Sequence, residues 1–271
     1  MPTTYSACTV RSSAGGEHQL VAARAVKEGE LLLTEPPVLH VPLGRYRLGT
    51  YVWDMVDKLL ADPTLLQSYN RHKLLASQQL LDVQDQAIED VLVKKYNKSR
   101  QLIRTLYCSI GTNNVGVLNE DMAVIGYGIF PQLSRSDHSC EPTASITTGD
   151  WRAQQVNLVA KKDLKAGEPV TWCYFKESDF LPQDYLTRNV ALLNIYRFIC
   201  RCPRCRAERP PELPAFGPKL VDYFDKIIQA EARRLSATPE GISQMVAQTP
   251  MNMHKDLLRR TRGKLPGSPI T

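Results

Sequence analysis

Ser136-Asp137-His138-Ser139-Cys140-Glu141-Pro142 and Tyr196-Arg197-Phe198-Ile199-Cys200-Arg201-Cys202-Pro203-Arg204-Cys205 are the two stretches that decide how this chain is read. The second is a C-x-C-x-x-C cluster, one thiolate short of the four ligands that a closed tetrahedral zinc site takes. Cys140, in the first stretch, is a candidate for the missing ligand. Three cysteines within six residues point to a metal, whereas an isolated cysteine is more often a small buried hydrophobe. Four protein ligands leave no open position, so the expected zinc is structural and not catalytic. A Zn(Cys)4 centre carries a formal charge of −2, and Arg201, Arg204 and Arg206 flank the cluster as candidates to offset it by hydrogen bonding to sulfur.

Between the two cysteine stretches runs Gly167-Glu168-Pro169-Val170-Thr171-Trp172-Cys173-Tyr174, a turn followed by an apolar run ending in a tyrosine. These three elements, in this order, resemble the C-terminal half of a SET domain with its post-SET zinc cluster. The likeness is closest to the SET-and-MYND subclass of protein-lysine methyltransferases, and it covers about residues 10–208. It implies an α+β fold: a β-clip core of short strands with a helical insertion, a post-SET zinc cluster and short C-terminal helices. It also implies an S-adenosylmethionine-dependent transfer of methyl to a lysine side chain of a histone or non-histone protein. Cys140, Cys200, Cys202 and Cys205 become the ligands of one structural zinc ion. Tyr174 and Tyr196 become the catalytic tyrosines of the lysine channel. Gly16, Glu17, His18, Asp137, His138, Tyr196 and Phe198 become the cofactor contacts, with Phe198 packing on the adenine.

The chemistry asks little of such a protein. Methyl transfer from a sulfonium to a neutral amine is a one-step displacement, so holding the amine in line with the S–CH3 bond is the main task. The lysine must also lose its proton from a free pKa near 10.4, and desolvation in a channel lowers that value. Two positions depart from the family pattern. Asp137 stands where asparagine is usual; it can accept from the cofactor's ammonium but repels its carboxylate. On that ground Asp137→Asn is expected to tighten cofactor binding. Gln19 stands where a G-x-G-L loop has its second glycine, with Gly15-Gly16 a few residues upstream. Thr143, where asparagine is common, is a lesser departure. These changes keep open an alternative, a catalytically weak or inactive SET pseudoenzyme acting as scaffold or peptide-binding subunit.

The rest of the chain sets boundaries. With 271 residues and a formal charge of +6, it has room for one large domain or a core with an appendage. Residues 1–48 read as the N-terminal part of the SET domain: an extended stretch over 19–26, a turn at Lys27-Glu28-Gly29-Glu30, then Leu31-Leu32-Leu33-Thr34 ending at Pro36-Pro37. Residues 49–107 read as a helical insertion. Val52, Met55, Val56, Leu59 and Leu60 recur at helical spacing up to a break at Asp62-Pro63, and Ile88, Val91, Leu92, Tyr96 and Ile103 mark another helix. The MYND finger of the subclass would occupy this interval, but no cysteine lies between Cys8 and Cys108. Residues 108–180 read as the C-terminal SET part, with strands near Ser145-Ile146-Thr147 and over 155–160. Residues 181–208 carry the zinc cluster. Residues 209–271 form a helical extension, with Leu220, Val221, Phe224, Ile227 and Ile228 on one face and a basic tail over 254–264.

Seven cysteines and no basic-then-apolar leader at the start favour metal binding in a reducing compartment over disulfides, hence nucleus or cytoplasm. No apolar run reaches membrane-spanning length. The expected partner is a protein or peptide bearing the target lysine, with a chromatin or multiprotein complex beyond it. The basic tail reads as a solvated end in place of a nucleic-acid surface.

Overall fold

The computed structural model describes residues 5–12, 18–43, 51–76, 83–121 and 123–236. The chain divides into two compact units: Met1–His138 with Pro142–Trp172, and Ser139–Glu141 with Cys173–Thr271. The fold is α+β, built on short antiparallel strands. Residues 15–17, Leu80-Leu81 and the basic tail over 254–264 lie outside the described residues. Among the described residues no helix is long and apolar enough to cross a membrane.

The first unit opens with β1 (Tyr5–Ser6), β2 (Cys8–Ser12), β3 (His18–Ala22), β4 (Leu31–Glu35) and β5 (Leu39–Pro42). Helices α1 (Tyr51–Ala61), α2 (Pro63–Arg71), α3 (Val83–Tyr96) and α4 (Arg100–Asn113) follow. Then come β6 (Asn114–Leu118), β7 (Val124–Ile129), a 3-10 turn at Leu133–Arg135, and the hairpin β8 (Ala144–Thr148) and β9 (Val156–Ala160). Among the described residues the strands form antiparallel sheets in the orders β1-β4-β9-β8, β2-β3 and β5-β7-β6. Leu20, Leu32, Leu33, Phe130 and Val170 fill the core among the strands and are 0% exposed. Met55, Val56, Leu59, Ile103 and Ile110, from α1 and α4, pack with Ile129 of β7 in a second core.

Two turns carry this unit's register. Val26-Lys27-Glu28-Gly29-Glu30 and Leu164-Lys165-Ala166-Gly167-Glu168 have nearly the same sequence, and they pair with each other about a local two-fold. Val26 and Leu164 exchange both backbone hydrogen bonds at 2.9 Å. The Gly29 amide donates to the Ala160 carbonyl at 2.8 Å, and the Gly167 amide donates to that of Ala22, also at 2.8 Å. Each turn needs a left-handed residue, and Gly29 (φ 79°) and Gly167 (φ 81°) supply it without a Cβ penalty. In each, the closing glutamate accepts the amide three residues back: Glu30 from Lys27 and Glu168 from Lys165.

The helical region differs from the sequence expectation in two places. Asp62-Pro63 separates two helices and also starts the second. The Asp62 carboxylate accepts the amides of Thr64 and Leu65 at 2.9 and 3.0 Å, and Pro63 sits at the first helical position. The single helix expected from Ile88 to Ile103 is two helices. Asn97 (φ 48°) takes the left-handed region after α3, and Ser99 caps α4 by accepting the Leu102 amide at 3.2 Å. Buried Glu89 ties the two together by accepting from Arg100 and Arg104. The core helix α4 also runs past residue 107 to Asn113.

The second unit holds α5 (Glu177–Phe180), α6 (Tyr185–Tyr196), α7 (Pro203–Glu208) and α8 (Pro218–Ser236). Asp184 caps α6 through the Thr187 amide at 2.8 Å. Phe180, Val190, Leu192, Leu220 and Phe224 form its core together with the buried cysteines.

Candidate functional site

In the second unit, Cys140, Cys200, Cys202 and Cys205 bring their Sγ atoms within 4.8 Å of one another, and those of Cys140 and Cys205 are 3.5 Å apart. A tetrahedral zinc with Zn–S bonds of about 2.3 Å separates its sulfurs by about 3.8 Å. The group can hold a zinc ion. The local fold explains the convergence. Arg197 ends α6 in the left-handed region (φ 62°) and turns the chain toward Cys200. The Asn189 side chain accepts the Cys200 amide at 2.8 Å and donates to Cys205 Sγ at 3.8 Å. Cys202 caps α7, with Pro203 at the first helical position and the Cys205 amide donating to Cys202 Sγ at 3.5 Å. Among these thiols, hydrogen bonding with Cys200, Cys202 and Cys205 pushes Cys140 well up, while Cys140, Cys200 and Cys205 together hold Cys202 well down. Four thiols this close favour a shared cation over any even sharing of protons.

The counter-charge comes from a residue that local sequence does not mark. Arg188, on α6, is 0% exposed. Its guanidinium donates to Cys205 Sγ at 3.8 Å, to Glu208 at 2.5 Å and to the Gln183 carbonyl. Glu208 and Cys205 hold the guanidinium charged against the cost of its burial. The three arginines beside the cysteines do other work. Arg201 lies over the Phe216 ring at 5.7 Å. Arg204 pairs with Glu208 and donates to the Cys140 carbonyl. Arg206 is exposed.

Tyr174, Tyr196 and Phe198 form one half-buried aromatic group in the same unit. Tyr174 and Tyr196 meet edge-on with centroids 5.0 Å apart, and Tyr174 and Phe198 at 6.3 Å. The Tyr196 hydroxyl donates to the Tyr174 carbonyl at 3.4 Å, and Phe175 backs Tyr196 at 5.7 Å.

In the first unit, residues 169–172 run beside residues 136–138 and 143–144. Ser136 Oγ donates to the Val170 carbonyl at 2.7 Å, and the Trp172 amide donates to the Asp137 carbonyl at 3.1 Å. The Thr143 and Ala144 amides both donate to the Thr171 carbonyl. The run from Gly167 is therefore no regular strand; isolated bridges Val21↔Pro169 and His138↔Trp172 hold it. His138 is buried and Asp137 exposed. The Gln19 amide donates to Asp137 Oδ2 at 2.9 Å, and Arg11 Nη2 donates to Gln19 Oε1 at 2.9 Å. The two positions that depart from the family pattern are thus bonded to each other. His18 begins β3, with Nδ1 2.9 Å from Ser12 Oγ. Gly16 and Glu17, expected beside the cofactor, lie outside the described residues. Asn113 is buried and donates to the Leu75 and Ser109 carbonyls, which is a structural role. Arg188, Asn189 and Arg11 are the residues that sequence reasoning missed.

No family model matches the chain. Curated relatives that match it include lysine methyltransferases and SET-and-MYND proteins. The human and mouse proteins named Histone-lysine N-methyltransferase SMYD3 are each 30% identical over 102 residues, 38% of this chain and 22% of the relative. Human N-lysine methyltransferase SMYD2 is 29% identical over 119 residues, 43% of this chain and 25% of the relative. The match spans a quarter or less of the length of these relatives. Among solved structures, the SET domain of LSMT bound to lysine and AdoHcy is similar at a TM-score of 0.42 and 14% identity, covering 86% of this chain and 61% of that one.

Proposed function

We propose that this chain is an S-adenosylmethionine-dependent protein-lysine N-methyltransferase, acting on a protein or peptide in the nucleus or cytoplasm, alone or within a chromatin or multiprotein complex. Residues 1–48 and 108–180 supply the transfer core, 49–107 an inserted helical face, 181–208 the zinc-bound segment and 209–271 a helical extension. The observation that carries the reading is the Tyr174–Tyr196–Phe198 group, half-buried and edge-on, in the unit that also holds the four cysteines. Two half-buried tyrosines packed with Phe175 and Phe198 combine hydroxyls with apolar rings, which suits a lysine amine that must be desolvated and aimed.

Each unit offers groups suited by chemistry to one part of the cofactor: in the first, Asp137 an exposed carboxylate for its ammonium; in the second, Phe198 an aromatic ring for its adenine. When bound, S-adenosylmethionine supplies an electrophilic methyl on a cationic sulfur. The protein's part is positional. Tyr174 and Tyr196 align the incoming amine and accept C–H···O contacts worth about 0.5–1 kcal/mol each. The apolar rings around them lower the lysine pKa by desolvation, so the amine arrives neutral. His18, His138, Gly16 and Glu17 are the further residues assigned to the cofactor, and a metal bound by the cysteines would hold the segment carrying Phe198 and Tyr196 in place.

An isotope-labelled methyl-transfer assay on a broad peptide array tests this. Label on lysine peptides, reduced in Tyr174→Phe, is the expected result. A chain that binds S-adenosylmethionine but labels no peptide points to the second reading, a non-catalytic scaffold. That reading is favoured by the Gln19–Asp137 bond, which engages one oxygen of a carboxylate assigned to the cofactor.

A further inference from the structure

Residues 132–137, the segment that leads into His138, are tied one after another to other parts of the first unit. The Gln132 and Leu133 amides donate to Glu35, the last residue of β4, at 2.9 and 3.0 Å. Ser134 Oγ donates to the Asn113 carbonyl at 3.3 Å, and Arg135 Nη2 to the His72 carbonyl at 2.7 Å. Ser136 Oγ donates to the Val170 carbonyl at 2.7 Å, and the Asp137 carbonyl accepts the Trp172 amide at 3.1 Å. The ties of Gln132, Leu133, Ser136 and Asp137 run to β4 and the 169–172 run. Those of Ser134 and Arg135 run to the helices: Asn113 ends α4, and His72 caps the C-terminus of α2. Asn113 Nδ2 in turn donates to the Leu75 carbonyl at 2.6 Å, so both helical ties lead to the stretch 72–75.

The end of α2 explains why an arginine serves here. The last carbonyls of a helix lack donors within the helix and carry its partial negative charge. At this end the His72 amide turns back to Tyr69 and Asn70, and Lys73 takes the left-handed region (φ 48°), so the helix stops. The His72 carbonyl accepts from a guanidinium, a fixed cation with several donors. Arg135 and His72 are both half-buried, which shields the bond from water. The turn itself leaves little slack. The Arg135 amide donates to the Gln132 carbonyl and the Ser136 amide to that of Leu133. Arg135 stands two residues before Asp137 and three before His138, at about 3.8 Å per step.

We propose that Arg135 is a positioning residue: by fastening the 3-10 turn to the C-terminal end of α2, it sets where Asp137 and His138 stand. Resting on the methyltransferase reading, the proposal gives the helical insertion a hold on the cofactor loop, although none of its residues is assigned to the cofactor. Arg135 touches neither reactant; it acts through the turn. The rival account is that Glu35, Val170 and Trp172 fix the segment unaided, and that Arg135 only staples the helices to the strands. Under that account, losing Arg135 lowers stability and moves nothing beyond Ser136.

Amide NMR of the labelled whole chain reads the turn without any cofactor, and calorimetric titration with S-adenosylmethionine reads the consequence. Arg135→Met keeps the apolar stem and removes every donor. In it the Asp137 and His138 amide resonances should move, and S-adenosylmethionine affinity should fall about tenfold. Lysine can still donate to one carbonyl, so Arg135→Lys should recover most of both. Ile103→Val, a small trim in the buried face of α4, controls for lost stability alone. It should lower the melting temperature and leave both resonances and the affinity as in the wild type. The proposal is overturned if Arg135→Met lowers the melting temperature while the two resonances stay in place. It is equally overturned if they move but affinity stays within twofold, if Arg135→Lys does no better than Arg135→Met, or if Ile103→Val weakens binding as much. A wild type that does not bind S-adenosylmethionine removes the methyltransferase reading; the resonances of Arg135→Met then decide the positioning role by themselves.

Discussion

Replacing Arg188 with leucine tests whether the cysteine cluster depends on a buried counter-charge. Leucine fits a buried helical position but removes every donor. The contacts to Cys205 Sγ, to Glu208 and to the Gln183 carbonyl go, and with them the interaction with Cys140. Removing one partner of a buried ion pair costs about 3–5 kcal/mol when the other is left stranded. Glu208 is 38% exposed and keeps Arg204, so its share is reduced. The thiolates keep the Cys205 backbone amide and Asn189 among their donors. A loss of about 3 kcal/mol in unfolding free energy follows, near the lower end of that range. Loss of such a supporting contact also weakens metal binding by about 10–100-fold. The two effects are read separately, by urea unfolding of zinc-loaded protein and by competition with a chromophoric chelator. Arg188→Lys keeps charge without the fork and should fall between wild type and Arg188→Leu in both. If Arg188→Leu loses stability while zinc affinity stays within twofold, packing alone explains the residue and the counter-charge argument fails.

Elemental analysis should find one zinc per chain, and Cys200→Ser should lose it together with several kcal/mol of stability, as loss of a structural metal does; zinc-free protein purified without chelator would refute this. Tyr174→Phe should leave zinc content and S-adenosylmethionine affinity unchanged while lowering the rate a few-fold or altering the number of methyl groups added, the pattern of an interaction used in the transition state; an affinity change in parallel with the rate would contradict it. Burial pushes Glu35 up to about 7, against two backbone amides from Gln132 and Leu133 that favour its charged form. Because the folded value lies above the unfolded one, the protonated acid is the form the fold favours. Its contribution is therefore full below the unfolded value of about 4.3 and is lost as pH rises through about 7, a slope of up to about 1.4 kcal/mol per pH unit. Glu35→Gln should flatten that part of the stability–pH curve, and an unchanged slope would disprove the assignment.

The cysteine spacing made the second unit readable, because ligand geometry is local enough to leave a pattern in sequence. The helical faces of α1 and α8 were legible for the same reason: periodicity is a short-range signal. The split between α3 and α4 was missed because Asn97 and Ser99 interrupt an apolar period that continues on either side of them. The pairing of the two lysine–glycine–glutamate turns was invisible although their similarity was not, since nothing in a repeated turn states that its copies meet. Arg188 left no trace, because a buried arginine is recognised only through partners that lie elsewhere on the chain. Gln19 and Asp137 were each legible as a departure and illegible as a pair, being 118 residues apart in sequence.

Cys140 and Cys205 are 65 residues apart, yet their sulfurs are neighbours. On the ribosome this separation becomes a delay. At about 5–20 residues per second, Cys140 emerges roughly 3–13 s before the last of its co-ligands. Through most of that interval it is a ligand without its partners, on a nascent chain whose second unit is still being made. Until Cys200 emerges, any zinc reaching it has one cysteine of the four to hold it, so the full site must wait for synthesis to pass Cys205. The metal therefore reports completion of the chain to that point: a product truncated before Cys200 keeps Cys140 without its co-ligands, an oxidisable thiol open to glutathione and to quality-control capture in a way the finished protein is not.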